Sequence, residues 1–289
     1  SASPGPDLAG HGYSELEFAA SGIARRFVER PDGELDGVDP APFTTRILVR
    51  RPDAAQFNGH VVVEWFNVSS GADSAPEYTY VAQELVRSGT AYVGISAQYT
   101  GIAGGRDSVD LETTGAGTAG VQGDSLEAKD PERYAGLHHP GDGYSYDMFG
   151  AIAQALRDND SDRHPLVGLD VRWVTAAGES QSAMALTTYV NRIAQKHDAI
   201  DGALIHSRPL GQLPLGEPGR PIDISPAYAG PPQPIRSDAT TPVFVVQTET
   251  DVLTDFRYIE ARQPDTDVFR AWEVAGTSHA DLVQIGEYE

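Results

Sequence analysis

The sequence contains no cysteine. Disulfides, thiol catalysis and thiolate metal sites are thereby excluded. Lysine is nearly absent: Lys129 and Lys196 stand against 42 acidic residues, and the formal charge is −21. Such a surface repels phosphate backbones and anionic headgroups, so nucleic acid is not an expected partner. The acidity reads as a solubility feature, tied to the base composition of the source or to salt adaptation. No apolar run approaches the roughly 18 residues that a membrane span requires, so no span is expected. The stretch Gly101-Ile102-Ala103-Gly104-Gly105 lacks the strand-loop-helix context of a phosphate cradle, and no cofactor is expected. The N-terminal Ser1-Ala2-Ser3-Pro4-Gly5-Pro6 has no methionine, charged stretch or apolar stretch. It reads as a processed or trimmed end, which makes a secreted mature protein the expectation and a cytoplasmic one the alternative.

The most informative stretch of what is present runs from Val171 to Ala183. The β-prone segment Val171-Arg172-Trp173-Val174-Thr175 enters Gly178-Glu179-Ser180-Gln181-Ser182. Ala183, Leu186, Val190 and Ile193 then recur at helical steps of three and four. A strand, a sharp turn with serine at its apex and a helix form the nucleophile elbow of α/β-hydrolases. The turn strains the serine backbone, and the residues two before and two after it must be small. Gly178 and Ser182 meet that need, although glycine is the usual residue at the second place. The alternative is an ordinary serine capping a helix. In the elbow reading, the Gln181 N–H and the helix N-terminus face the developing oxyanion.

The downstream order supports the elbow. Val243-Phe244-Val245-Val246-Gln247 reads as a buried parallel strand ending in Thr248-Glu249-Thr250-Asp251. Val268 to Val274 reads as another, ending in Gly276-Thr277-Ser278-His279. Nucleophile, acid after one strand and histidine after the next is the α/β-hydrolase order. Asp251 lies 71 residues after Ser180, and His279 lies 28 further on. Asp251 is the preferred acid, because the chain must turn after Gln247 before a carboxylate can reach His279. Glu249 is the alternative acid, otherwise a hydrogen-bonding residue of the same turn. His206, at a strand end near the elbow, is a weaker candidate base than His279. Ten residues follow His279, short for the helix expected there, so the natural chain is expected to continue.

At 289 residues and 40% hydrophobic, one large core and a single α/β domain over 1–289 are expected. Strands are read at Gly22 to Glu29, Phe43 to Arg50, His60 to Phe66, Ala91 to Ser96 and Gly202 to His206. The first two form an antiparallel edge. Helices are read from Ser74-Ala75-Pro76-Glu77 to Ser88-Gly89, from Tyr146 to Arg157 and over 180–196. Their alternation predicts a mostly parallel sheet with helices on both faces. Two excursions break the rhythm: 98–143, polar and glycine-rich, and 208–241, with eight prolines. Both leave strand C-terminal ends and are expected to wall a substrate pocket.

Four blocks together carry a resemblance. They are Val62-Val63-Glu64-Trp65-Phe66-Asn67-Val68-Ser69-Ser70-Gly71, His139-Pro140-Gly141-Asp142-Gly143-Tyr144-Ser145-Tyr146-Asp147, Gly178 to Ala183, and Gln247 to Asp251. Over most of residues 20–281 the chain resembles the "alpha/beta hydrolase domain" family of bacterial and fungal serine hydrolases. The resemblance implies the α/β-hydrolase fold and a Ser-acid-His triad. It does not name a substrate.

In that fold a second oxyanion donor comes from the loop after the third strand. Here that leaves the backbone N–H of Asn67 or of Val68. Asn67-Val68-Ser69 is also a glycosylation sequon, but a glycan there would plug the pocket. Glu64, inside a strand, is expected in a structural ion pair. His138, His139, Asp142 and Asp147 read as a packed loop rather than a metal site. The functional expectation is an esterase or lactonase working on a small-molecule ester through an acyl-enzyme, with the Ser180-His279-Asp251 triad. The competing classes are a catalytically inactive binding protein and a glycosidase using Glu64 and Glu249. Oligomeric state is not legible.

Overall fold

The computed structural model describes residues 5–105, 123–158 and 161–281. The chain opens with a long hairpin, β1 (Tyr13–Glu29) and β2 (Leu35–Pro52). It continues through β3 (His60–Trp65), α1 (Pro76–Ser88), β4 (Ala91–Ile95), α2 (Tyr99–Ala103), α3 (Leu126–Lys129) and α4 (Ser145–Ala155). Then come β5 (Trp173–Glu179), α5 (Gln181–Arg192), α6 (Ala194–His197), β6 (Gly202–His206), α7 (Ser225–Ala229), β7 (Val243–Thr248), α8 (Glu249–Leu253) and β8 (Phe269–Val274). The eight strands form one sheet in the order β1-β2-β4-β3-β5-β6-β7-β8. The first two are antiparallel to their neighbours, and β3 through β8 run parallel.

The strands follow their period-two burial. Val61, Val63, Val93, Val174, Ala176, Ala203, Ile205, Val243 and Val245 point into one large core beneath α4 and α5. On the opposite face, Val62 and Tyr92 pack with Tyr78, Ala82 and Leu85 of α1. Gly89 closes α1 in the left-handed region at φ 74°, a position suited to glycine. On that face α1 packs over β3 and β4. Trp272 and Val274 of β8 are exposed there. No helix is long and apolar enough to cross a membrane among the described residues.

Glu64 is fully buried, but its partner is not a cation. Its two carboxylate oxygens accept the N–H groups of Glu77 and Tyr78, each at 3.0 Å, and the Tyr92 hydroxyl at 2.7 Å. Ala75, at the helix entry, has no capping side chain. The strand carboxylate therefore caps α1 in its place, where an ion pair was expected from sequence. Burial first, then the nearby Glu77 carboxylate, pushes the Glu64 pKa up to about 8.

The helix read over 180–196 divides at Ile193 into α5 and α6. Every α5 residue from Gln181 to Val190 is buried, more than an amphipathic stripe requires. The proline-rich segment supplies the second cover. Thr188 Oγ1 donates to Leu213 O at 2.6 Å, and Asn191 Nδ2 donates to Pro234 O at 3.0 Å. Arg208 is almost completely buried and donates to the carbonyls of Pro209, Leu210 and Gln233 and to Thr187 Oγ1. Asp142 joins the two excursions: it accepts Tyr99 N at 2.7 Å and Ile222 N at 2.8 Å. The part of the first excursion at 106–122 lies outside the described residues.

Candidate active site

The β5–α5 junction holds Ser180 at φ 58°, ψ −113°. Such a conformation costs on the order of 1–3 kcal/mol, so the surroundings must over-determine it. They do so through three contacts. Ser180 N donates to His206 O at 3.0 Å. Ser182 Oγ accepts Glu179 N at 3.0 Å and donates to Glu179 O at 2.9 Å. A Cβ at Gly178 would lie 3.1 Å from Leu186 and from the Ser182 backbone. A side chain at 178 would thus be crowded, while Ser182 adds a two-way staple that glycine would lack. Ser180 stands at the N-cap position of α5, but its side chain makes no capping hydrogen bond.

The Ser180 hydroxyl instead meets His279. Oγ lies 3.0 Å from His279 Nε2, and His279 Nδ1 lies 2.7 Å from Asp251 Oδ1. Asp251 is also the third residue of α8. Its Oδ2 accepts Thr248 N at 2.8 Å, while Asp251 N donates to Thr248 Oγ1, forming a capping box. One carboxylate thus caps the start of the helix and faces the imidazole. Burial alone would raise the Asp251 pKa; the His279 hydrogen bond and charge hold it below the usual carboxylate range. Burial would lower the His279 pKa, but the Asp251 hydrogen bond and the Glu179 charge carry it above the ordinary histidine value.

The loop after β8 is pinned at two points. His279 N donates to Thr250 Oγ1 at 2.8 Å, and Gly276 N donates to Glu249 Oε2 at 2.9 Å. Glu249 therefore holds the loop that carries His279, and Asp251 is the carboxylate on the ring. Glu249, the alternative acid, thus bonds the loop backbone rather than the ring, and Glu64 sits at the start of α1. The Phe256 ring packs edge-on against His279 at 4.3 Å between centroids, and Tyr228 packs on Phe256. Segment 208–241 reaches the site through Tyr228. The side chain of His279 is 30% exposed, so the site opens to solvent.

The N–H groups of Asn67 and Val68, the two candidate donors, differ in their partners. Asn67 N–H is committed to Ser74 O at 3.0 Å, and Asn67 Nδ2 donates to Glu179 O at 3.0 Å. Asn67 is buried, so the sequon is not presented to solvent. Val68 N–H has only a long contact, 3.4 Å, to Gln181 Oε1. The Gln181 Nε2 group is held by Gln98 Oε1 at 2.8 Å.

The rings of two other noted histidines are held by partners other than Ser180. His139 Nε2 donates to Ala97 O at 3.0 Å, and its Nδ1 accepts Gly141 N at 3.1 Å. Burial lowers its pKa, and the ring is a neutral strut of the loop. His206 Nδ1 meets Glu77 Oε1 at 3.1 Å. Burial would lower His206, yet the hydrogen bond and charge of Glu77, with Glu179 and Asp251 behind it, carry it to about 9. Sequence reading missed Glu77 and Glu179 as site residues. The signal for Glu179 was a charged residue closing an otherwise uncharged strand.

The sheet and the Ser180-His279-Asp251 line define an α/β-hydrolase. The chain belongs to the alpha/beta hydrolase domain family, whose model matches residues 1–288. Solved structures with a similar fold include a putative carboxylesterase from Lactobacillus plantarum (14% identity, 89% of this chain and 88% of that one, TM-score 0.46). Another is a cold-adapted esterase from an Arctic intertidal metagenomic library (13% identity, 92% and 86%, TM-score 0.47). A third is a dienelactone hydrolase from Anabaena variabilis (13% identity, 95% and 96%, TM-score 0.44). At such identities and scores these likenesses carry no argument about activity. No match was found among curated proteins.

Proposed function

We propose that the protein is a serine carboxylic-ester hydrolase, of esterase or lactonase type, acting on a small-molecule ester. The observation that carries this reading is the unbroken hydrogen-bonded line from the strained Ser180 through His279 to Asp251. Ser180 Oγ attacks the ester carbonyl while His279 Nε2 takes its proton. Asp251 keeps the Nδ1 proton on the ring and stabilises the imidazolium. The tetrahedral oxyanion forms beside the Gln181 N–H at the start of α5 and the Val68 N–H, whose long contact to a glutamine side chain is easily exchanged for a charged oxygen. His279 then protonates the departing alcohol. Water, deprotonated by the same imidazole, hydrolyses the acyl-enzyme.

The test is turnover of a short activated ester such as p-nitrophenyl acetate. Ser180→Ala should lower it by roughly four to six orders of magnitude. A purified Ser180→Ala protein that keeps its turnover sinks the assignment.

A further inference from the structure

Glu179 is the residue before Ser180, and it is 1% exposed. Its Oε1 is buried without a hydrogen-bond partner. An orphaned carboxylate oxygen in a protein interior is costly and calls for a reason. Here the reason lies next to it: Oε1 is 3.6 Å from His279 Nε2, the nitrogen that also faces Ser180 Oγ. The register of the sheet explains the placement. Glu179 and His206 are paired across β5 and β6, so their side chains share a face at the C-terminal ends of the strands. The backbone of Glu179 is held at its N–H by Ser182 and at its carbonyl by Ser182 and Asn67.

We infer that Glu179 is a positioning residue whose carboxylate holds the His279 ring against Ser180 and stabilises the imidazolium that forms there. The inference deepens the proposed hydrolase mechanism and rests on it. The proton passes from Ser180 Oγ to His279 Nε2 as the Oγ–carbon bond forms, and returns to the leaving alcohol. Glu179 neither takes nor gives it. Asp251 meets the positive ring at Nδ1, and Glu179 meets it from the Nε2 side. The interaction is weak with a neutral ring and strong with a charged one, so it favours the transition state over the ground state.

The surrounding charges agree. From β6 comes His206; from α1 come Glu77 and Tyr80; from α8 comes Asp251; from the loop after β8 come His279 and Asp281; from the proline-rich segment comes Tyr228. Burial pushes the Glu179 pKa up to about 7, with the two histidines pulling against it. The added charge on His279 during reaction pulls it further toward the ionised form. Burial and then the neighbouring acids raise the Tyr80 and Tyr228 phenols, which remain neutral and do not cancel the carboxylate.

The experiment is a histidine NMR titration of His279 in the wild-type protein and in Glu179→Gln, with kcat/KM for p-nitrophenyl acetate followed over the same pH range. Removing an opposite charge at this distance should lower the His279 pKa by about 1 unit. The acid limb of kcat/KM should move down with it, kcat should fall by about 10-fold or more, and KM should change little. Glu179→Asp should restore part of the shift. An unmoved His279 pKa in a folded Glu179→Gln protein overturns the inference, even if kcat falls. If the wild-type protein turns over no ester but the His279 pKa still drops in the variant, the hydrolase reading fails and the charge coupling stands.

Discussion

Asp251 offers one carboxylate oxygen to His279 Nδ1 at 2.7 Å and the other to the Thr248 backbone at 2.8 Å. The second bond locks the direction of the first. The side chain cannot rotate away from the imidazole without uncapping α8. Glu249, two residues earlier, spends its carboxylate on Gly276.

This division of labour predicts unequal outcomes. Asp251→Asn should lower kcat by about 10⁴-fold near neutral pH, because the amide no longer fixes the His279 tautomer. Glu249→Gln keeps an acceptor for Gly276 N and should cost less than about 10-fold. Steady-state kinetics on both variants check the pair. Equal losses would mean that the two acids act together.

In the proposed mechanism His279 must be neutral to accept the Ser180 proton. Its pKa lies above the ordinary value because the anionic partners outweigh burial. The protonated ring is therefore favoured up to a higher pH than in a free histidine. As pH falls, kcat/KM should decline through a midpoint above the reference value of about 6.5. A pH–rate profile with its acid limb at or below that value would contradict the charge balance described here.

Ser182 replaces the usual glycine and staples the Glu179 backbone. Ser182→Ala keeps the volume and removes both bonds. Urea unfolding should show a loss of about 1–3 kcal/mol, mainly from the stranded Glu179 N–H. Unchanged stability would show that the staple adds nothing.

Arg208 is buried among four acceptors that fix the course of the proline-rich segment. Arg208→Met should destabilise the protein by about 2–4 kcal/mol as those acceptors lose their partner. Slackening the segment that carries Tyr228 should also change the kcat/KM ratio between small and bulky esters. A stable variant with an unaltered ratio would separate the segment from specificity.

The elbow is legible in the sequence because its causes are local: a β-prone run, small residues at 178 and 182, and helical periodicity after Ser180. The chain order of Asp251 and His279 is legible for the same reason, since each follows its own strand. The meeting of Glu179, His206 and Glu77 is not, because it arises only through the β5–β6 register and the placement of α1. The Glu64 cap is hidden for a similar reason: its donors lie 13 and 14 residues away. That Asn67 N–H is bound to a carbonyl while Val68 N–H has only a long contact depends on the bridge to Ser74. The course of 208–241 follows from buried hydrogen bonds of Arg208 and Asp142, which leave no periodic trace.

The central claim is that Ser180 is an activated nucleophile. A fluorophosphonate probe followed by peptide mapping tests it most directly, because the reagent bonds only to a serine whose neighbours accept its proton. The account predicts a stoichiometric adduct on Ser180, formed in step with the loss of ester turnover and absent from Ser180→Ala. A folded wild-type protein that forms no adduct, or forms it at another residue, would contradict it.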